Sequence, residues 1–269
     1  MNLIDPAIAD FYSESAEDSR LKFGLGPLEF ERNKLLIGRH LGGSNLKVAD
    51  IGGGSGHYAQ WMAALGHQVT LVDPVEKLVA KARQKAKKTA FQCVIGEARK
   101  LPLETASTDL AVLHGPLYHI LESQERINAL TEAARILKPG GILLGFAITR
   151  AASAIAALQG GMIHMSQVYE MCKAELKTGM HRPPAGMPGM LAPAHFHRPS
   201  ELLEEACAAG FTSAKLYAVE GMVWMDGQYF QSWADPQKRQ RLLELVGLTE
   251  NDQDLLCFSP HMMVAAVKP

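Results

Sequence analysis

The sequence is poor in cysteine, and the few cysteines present are scattered. Four stand among 269 residues, at positions 93, 172, 207 and 257, and no two of them form a CxxC pair. This spacing argues against a zinc ribbon and against a redox dithiol. It predicts thiols that stay reduced inside the protein.

Net charge and long apolar runs are lacking as well. The 28 acidic and 27 basic residues nearly cancel and leave a formal net charge of -1. A chain without an overall field has nothing to concentrate it on nucleic acid or an anionic membrane, so a small-molecule substrate is favoured. No stretch reaches the ~20 apolar residues of a membrane span, and residues 1–19 lack the basic start and apolar centre of a secretion signal. We expect a cytoplasmic protein with no membrane contact, as a monomer or a homodimer.

What the chain does have, from residue 46 onward, is an alternation of short β-branched runs with longer helical patterns. This alternation is typical of parallel strands joined by crossover helices. Strands are predicted at residues 46–51, 68–73, 91–95, 109–113 and 141–148, and helices at 57–65, 75–88 and 123–137. A helical segment at 151–169 and an aperiodic stretch at 181–193 follow. The pattern then resumes with a helix at 199–208, a strand at 212–219, a helix at 236–246 and a strand at 262–267.

The first predicted strand runs directly into a glycine-rich turn, Asp50-Ile51-Gly52-Gly53-Gly54-Ser55-Gly56, which a helix follows. Glycines permit positive φ and let a ligand approach the backbone, and the start of the helix presents free amides. A dinucleotide-binding G-x-G-x-x-G would need a third glycine where His57 or Ala59 stands. An NAD-dependent dehydrogenase is therefore only a distant alternative.

An acidic residue, Asp73, closes the second predicted strand. At that place a carboxylate can accept hydrogen bonds from both ribose hydroxyls of a nucleoside that lies across the strand ends.

The G-x-G-x-G spacing resembles motif I of the class I S-adenosylmethionine-dependent methyltransferases. Asp73-Pro74 is similar to the ribose-binding step of that family, and Gly96-Glu97-Ala98 is similar to its acidic-Ala step near the adenine, where Asp is commoner. The stretch from His114 to His119 stands where the family places the methionine part of the cofactor and the transferred methyl. Residues 138–141 resemble a family segment too, and these motifs together span about residues 46–149. Outside that span, residues 197–202 resemble a stretch common in small-molecule members of the superfamily.

The resemblance implies a fold, a domain plan and a cofactor. The fold is α/β, a Rossmann-like three-layer sandwich with a seven-stranded, mostly parallel sheet whose last strand is antiparallel, plus a helical cap insertion. The chain would be one methyltransferase domain: N-terminal helices or a lid at 1–45, a cofactor-binding core at 46–149, a cap insertion at 150–198 and the C-terminal part of the sheet at 199–269. The cofactor would be S-adenosylmethionine, which leaves as S-adenosylhomocysteine.

The predicted cofactor-binding residues are Arg20, Asp50, Gly52, Gly53, Gly54, Gly56, Asp73, Pro74, Glu97, Ala98, His114 and Gly115. Arg20 is included because an arginine can pair with the methionine carboxylate. The predicted catalytic residues are His119, as a base at near-neutral pH, and Tyr118, which could turn toward the cation; packing is the alternative for both. No metal is predicted, because the pair His195 and His197 lacks an acidic or cysteine partner at metal spacing.

Several hypotheses about function stay open. The resemblance implies methyl transfer to an oxygen, nitrogen or carbon atom of a small molecule, in a cavity for which Tyr169 and Trp224 are candidate walls. A second hypothesis is methylation of a tRNA base or of its carboxylate modification, since similar cores with a comparable insertion act on tRNA. A hypothesis from another class is a module that binds the cofactor without chemistry.

Overall fold

The computed structural model describes residues 4, 8, 10–12, 17–43, 45–187 and 190–269, and within them seven strands form one sheet. The strands of the chain are β1 (Lys47–Ile51), β2 (Gln68–Asp73), β3 (Gln92–Ile95), β4 (Thr108–Leu113), β5 (Leu137–Ile148), β6 (Met180–His181), β7 (Ala194–His195), β8 (Thr212–Ala218) and β9 (His261–Val267). The sheet has the order β3-β2-β1-β4-β5-β9-β8, and β6 and β7 form a separate pair. Strands β1 to β5 are parallel, whereas β9 runs antiparallel to both β5 and β8. The predicted fold class, with its antiparallel last strand, is confirmed.

Helices cover both faces of this sheet. They are α1 (Glu17–Arg20), α2 (Gly26–Gly38), α3 (His57–Ala64), α4 (Glu76–Ala86), α5 (Pro116–His119), α6 (Ser123–Ile136), α7 (Ala152–Gln159), α8 (Ser166–Thr178), α9 (Pro199–Ala208), α10 (Tyr229–Ala234) and α11 (Pro236–Thr249). Successive strand residues point to opposite faces, so Leu113 packs in one apolar cluster with Leu130 of α6, and Val112 packs in another with Met62 of α3. The result is the three-layer sandwich. None of the helices in the described residues has the length and apolar character to cross a membrane.

The structure differs from the predicted elements in three places. Strand β5 begins at Leu137 and not at residue 141, because Leu137 already pairs with Thr108 of β4. The predicted helix at 151–169 is divided into α7 and α8, since Gly161 adopts a positive φ of 70° between them. The two-residue strands β6 and β7 flank the aperiodic stretch and are too short to produce a period. Parts of the predicted lid, residues 1–3, 5–7, 9, 13–16 and 44, and residues 188–189 of the predicted cap lie outside the described residues.

Candidate active site

The glycine turn forms the carboxyl end of β1. Gly52, Gly54 and Gly56 have φ values of 72°, 56° and 83°, which glycine adopts without strain. Gly53 has no room for a side chain, because a Cβ there would lie 2.5 Å from Oδ2 of Asp50. Gly53 therefore packs closely on Asp50. Residues 52–54 present backbone atoms and no side chains, and we call them the glycine cradle.

Asp73 ends β2 beside this turn and holds it in place. Its Oδ2 accepts a hydrogen bond from the backbone N–H of Gly54 at 2.9 Å, and its Oδ1 accepts one from Val75 at 2.9 Å. The side chain is buried. A carboxylate at this place is the acceptor type that suits hydroxyl groups of a ligand.

A cavity of about 380 Å³ lies at the carboxyl ends of the parallel strands. This edge is where open α/β sheets bind their ligands. The cavity brings together most of the predicted site residues: Arg20, Gly52, Gly53, Gly54, Asp73, Pro74, Glu97, Ala98, His114, Gly115, Tyr118 and His119.

Two predicted cofactor residues, Asp50 and Gly56, lie behind the cavity wall instead. Asp50 is fully buried beneath Gly53. Gly56 faces α4, where a Cβ would come within 3.1 Å of the Cβ of Ala82. Both residues shape the wall through packing and do not reach the cavity.

The N-terminal segment covers the cavity. Ile4, Ile8 and Tyr12 are among the lining residues, and Tyr12 Oη lies 2.6 Å from Nε2 of His119. Residues more than a hundred positions apart thus close the site between them.

The predicted cap does not cover the cavity: none of its described residues, 150–187 and 190–198, lines it. The cap packs behind the site, where Phe196 and Ile148 form an apolar cluster against Tyr118. The candidate walls are accordingly wrong, since Tyr169 is exposed on α8 and the indole N–H of Trp224 donates to the carbonyl of Phe258.

His119 sits deep in the site. Burial lowers its pKa to about 4, the carbonyl of Pro193 opposes that shift, and His181 adds to it. The ring is therefore neutral near pH 7, and its Nε2 shares a hydrogen bond with the Tyr12 hydroxyl. A base of such low pKa, with its nitrogen already engaged, is weak, and this geometry does not favour the predicted catalytic role.

His114 lies under the centre of the site. Its ring is stacked between Tyr58 and Phe146, with centroids 4.1 and 4.3 Å away. Its Nδ1 is 3.6 Å from Oδ1 of Asp50, and among the described residues neither the ring nitrogens nor that carboxylate has a hydrogen-bond partner. Buried polar atoms without hydrogen-bond partners cost free energy. The His114 ring and the Asp50 carboxylate can therefore hydrogen-bond to a polar ligand or to its water.

Two charged predicted residues are held by ion pairs. Glu97 Oε2 accepts hydrogen bonds from the backbone N–H and the Nε of Arg99, at 3.1 and 2.9 Å. Arg20 donates to both carboxylate oxygens of Glu29, at 2.5 and 3.0 Å. Burial raises the pKa of Glu29, but Arg20 and His261 outweigh it and hold that pKa at about 2.

Sequence reasoning missed Glu29, Tyr58, Phe146 and His261, which also line the cavity. They come from α2, α3, β5 and β9, and two of these elements, α2 and β9, lie outside residues 46–149, which the motifs span. One signal was available for His261: the first residue of an antiparallel last strand lies at the carboxyl edge of its parallel neighbours.

The pair His195 and His197 lies outside the cavity, in a buried network. Their ring centroids are 4.7 Å apart, and Nε2 of His197 is 3.2 Å from Oε2 of Glu205. Arg126 donates to the same carboxylate at 2.7 Å and to the carbonyls of two cavity-lining residues, 120 and 121. The network thus connects α9 to the loop that follows His119.

Metal-ligand geometry occurs elsewhere in the described residues. Glu29, Glu220 and His261 each offer one ligand atom, and these atoms lie within 4.8 Å of one another. The Glu29 carboxylate already accepts a hydrogen bond from Arg20, and Glu220 is hydrogen-bonded to His261. The absence of a resident metal stays a prediction.

Part of the chain matches a known protein family. Residues 49–145 match the family model described as a methyltransferase domain. The chain thus carries, over 97 of its 269 residues, a match to a methyltransferase domain, in agreement with its resemblance to the class I S-adenosylmethionine-dependent methyltransferases. It resembles the Pyrococcus horikoshii protein PH0226 in fold, with a TM-score of 0.63, 16% identity and coverage of 97% of this chain and 98% of that one.

Curated relatives match this chain over about a third of its length. The ubiquinone/menaquinone biosynthesis C-methyltransferase UbiE of Rubrivivax gelatinosus is 36% identical over 99 residues, which are 36% of this chain and 37% of that protein. The mouse tRNA (carboxymethyluridine(34)-5-O)-methyltransferase ALKBH8 is 31% identical over 99 residues, which are 35% of this chain and 13% of that protein. The match thus covers well under half of either relative.

The cavity fits S-adenosylmethionine, the cofactor of the family that the chain resembles. The glycine cradle has no side chains to obstruct a nucleoside, and the carboxylate of Asp73 lies beside it as an acceptor type that suits ribose hydroxyls. Among the residues that the structure describes, five acidic side chains line the cavity, at positions 29, 73, 97, 122 and 125, against two arginines, at 20 and 99. This excess of negative charge suits a ligand that carries a sulfonium cation.

Proposed function

We propose that this chain transfers a methyl group from S-adenosylmethionine to an oxygen, nitrogen or carbon atom of a small-molecule acceptor. One observation carries the proposal: the glycine turn, Asp73 and the His114–His119 stretch all line a single cavity at the carboxyl edge of the sheet. The family match covers the same part of the chain. The methyl group of the sulfonium is itself reactive, so the protein contributes alignment and exclusion of water.

The proposed roles follow the position of each residue. The backbone of Gly52, Gly53 and Gly54 and the carboxylate of Asp73 bind the nucleoside. Pro74, Glu97 and Ala98 lie on the adenine side, while Arg20, His114 and Gly115 lie on the methionine side. Tyr118 packs beside the reacting centre. Asp50 and Gly56 support the turn from behind.

The charge of the cavity favours a neutral or cationic acceptor over a polyanion. Both lining arginines are paired with carboxylates, Arg20 with Glu29 and Arg99 with Glu97 and Glu125. RNA binding normally depends on unpaired basic side chains that neutralise phosphates. The name of the mouse relative keeps tRNA methylation as the second candidate.

The test combines binding and turnover. Purified protein should bind S-adenosylhomocysteine in calorimetry and should transfer tritiated methyl from S-adenosylmethionine to members of a panel of phenols, amines and quinols. Transfer to total tRNA, with binding that weakens steeply as salt rises, would favour the tRNA candidate. Binding without transfer to either would favour the non-catalytic module, and absence of binding would refute all three. The cytoplasmic location and the monomeric or homodimeric state remain predictions.

A further inference from the structure

The wall of the cavity formed by β9 carries a histidine that is paired with a buried glutamate. His261 is the first residue of β9, and its Nδ1 lies 2.7 Å from Oε1 of Glu220, which follows β8. The imidazole is about a quarter exposed (26%), whereas the Glu220 side chain is 1% exposed. The end of β8 and the start of β9 therefore lie side by side. The His261 ring faces the cavity, and the Glu220 carboxylate lies behind it.

The Glu220 carboxylate is fixed independently of any ligand. Its Oε2 accepts a hydrogen bond from the backbone N–H of His261 at 3.0 Å. The Ser259 hydroxyl has one hydrogen to donate, and it lies 3.2 Å from the same Oε2 and 2.6 Å from the carbonyl oxygen of His261. The backbone N–H groups of Glu220 and Gly221 in turn donate to that hydroxyl oxygen, at 3.1 and 3.0 Å. A carboxylate held in this way orients the imidazole that it contacts.

This orientation fixes the tautomer of the ring. A carboxylate accepts and does not donate, so Nδ1 of His261 carries the hydrogen that Glu220 Oε1 accepts. The lone pair of the neutral ring is then on Nε2, which has no hydrogen-bond partner among the described residues. The carboxylate–imidazole pair is the arrangement by which other enzymes position a general base.

The pKa of His261 and the pKa of His119 are shifted in opposite directions. Burial lowers the pKa of His261, but Glu220 and Glu29 overcome that effect against the opposing charge of Arg20, so the net shift is upward. His119 has no carboxylate among the groups that shift its pKa. Of the two, His261 is the stronger proton acceptor near neutral pH.

We propose that His261 is the general base of the site and that Glu220 is its positioning residue. This proposal rests on the proposed function, for acceptors that attack through an O–H or N–H group. Nε2 of His261 takes the proton as the acceptor lone pair forms its bond to the methyl carbon. The electron pair of the broken carbon–sulfur bond stays on S-adenosylhomocysteine, and His261 later releases the proton to solvent.

The first test needs no acceptor. Long-range proton–nitrogen NMR on the full chain, with the His261 signals assigned by H261N, should show neutral His261 protonated on Nδ1. E220Q should lower the titration midpoint of that ring, because it removes the facing negative charge. A ring protonated on Nε2 instead would overturn the proposal, since the nitrogen in the cavity would have no lone pair.

The second test uses methyl transfer to the panel of phenols and amines. H261N should reduce kcat by about 10²- to 10⁴-fold, the range for loss of a general base, and leave the Kd for S-adenosylhomocysteine within about twofold. E220Q should move the acid limb of the kcat profile to lower pH, which a purely structural role would not do. H164N, at an exposed histidine on the cap, is the matched control and should match wild type.

The outcomes separate the two proposals. An active wild type with an equally active H261N would refute the base and leave the methyltransferase function standing. A wild type that binds the cofactor and methylates no panel member would count against the proposed small-molecule function, while the NMR experiment would still decide the tautomer. If E220Q fails to fold, H261N alone provides the kinetic result.

Discussion

Replacement of Asp73 by asparagine should weaken cofactor binding in a protein that still folds. The carboxylate accepts backbone N–H groups through both oxygens, from Gly54 and Val75. Asparagine retains one acceptor oxygen and places an NH₂ donor against the other N–H, and it also loses the charge that a ribose hydroxyl would donate to. A hydrogen bond to a charged group contributes about 1.5–3 kcal/mol.

The affinity for S-adenosylhomocysteine should therefore fall roughly 10- to 150-fold in D73N, as calorimetry would show. The free energy of unfolding in urea should also fall, by about 1–3 kcal/mol, because a buried N–H group is left facing a donor.

The matched control is D109N. Asp109 likewise accepts a backbone N–H, from Lys47 at 2.8 Å, and it pairs with Lys138 at 2.6 Å, but it lies at the opposite end of the sheet, near the start of β4. D109N should leave ligand affinity unchanged. If D73N also bound S-adenosylhomocysteine within about twofold of wild type, the assignment of Asp73 to the nucleoside would be wrong.

Three further predictions concern the framework. Arg126→Met should lower the free energy of unfolding in urea by about 3–5 kcal/mol, because it leaves the Glu205 carboxylate buried without its cation. The control is Arg135→Met, on the same helix but more exposed, which should lower it by about 1 kcal/mol or less. Gly53→Ala should abolish measurable S-adenosylhomocysteine binding in calorimetry, since its methyl would overlap a buried carboxylate, and Gly247→Ala, which has open space around it, should bind normally. Burial raises the pKa of Glu205, but hydrogen bonds from the neighbouring histidine and from Arg126 lower it to about 2. Because this folded-state value is below the unfolded one of about 4.5, the stabilisation is present above pH 4.5 and is lost as pH falls toward 2; urea unfolding at pH 5 and pH 3 should show the loss, and an unchanged midpoint would contradict it.

The cofactor half of the site could be read from local sequence. The strand that runs into Gly52, the acid at Asp73 and the alternation of strands and helices through residue 148 are short-range patterns, because burial on a parallel sheet imposes apolar runs and the tight turn imposes glycine. The parallel sheet with an antiparallel last strand followed from the family resemblance. The order of the strands came from the tertiary structure, since periodicity does not say which strands are neighbours.

Tertiary structure alone decided the rest of the site. The contact of Tyr12 with His119, and the contact of Glu220 with His261, join segments whose spacing along the chain carries no pattern. The same packing placed Asp50 behind the wall and moved the cap away from the cavity. Protonation and hydrogen bonding depend on what surrounds a side chain in three dimensions, so the choice between two histidines as the base could not be made from residue type and local position.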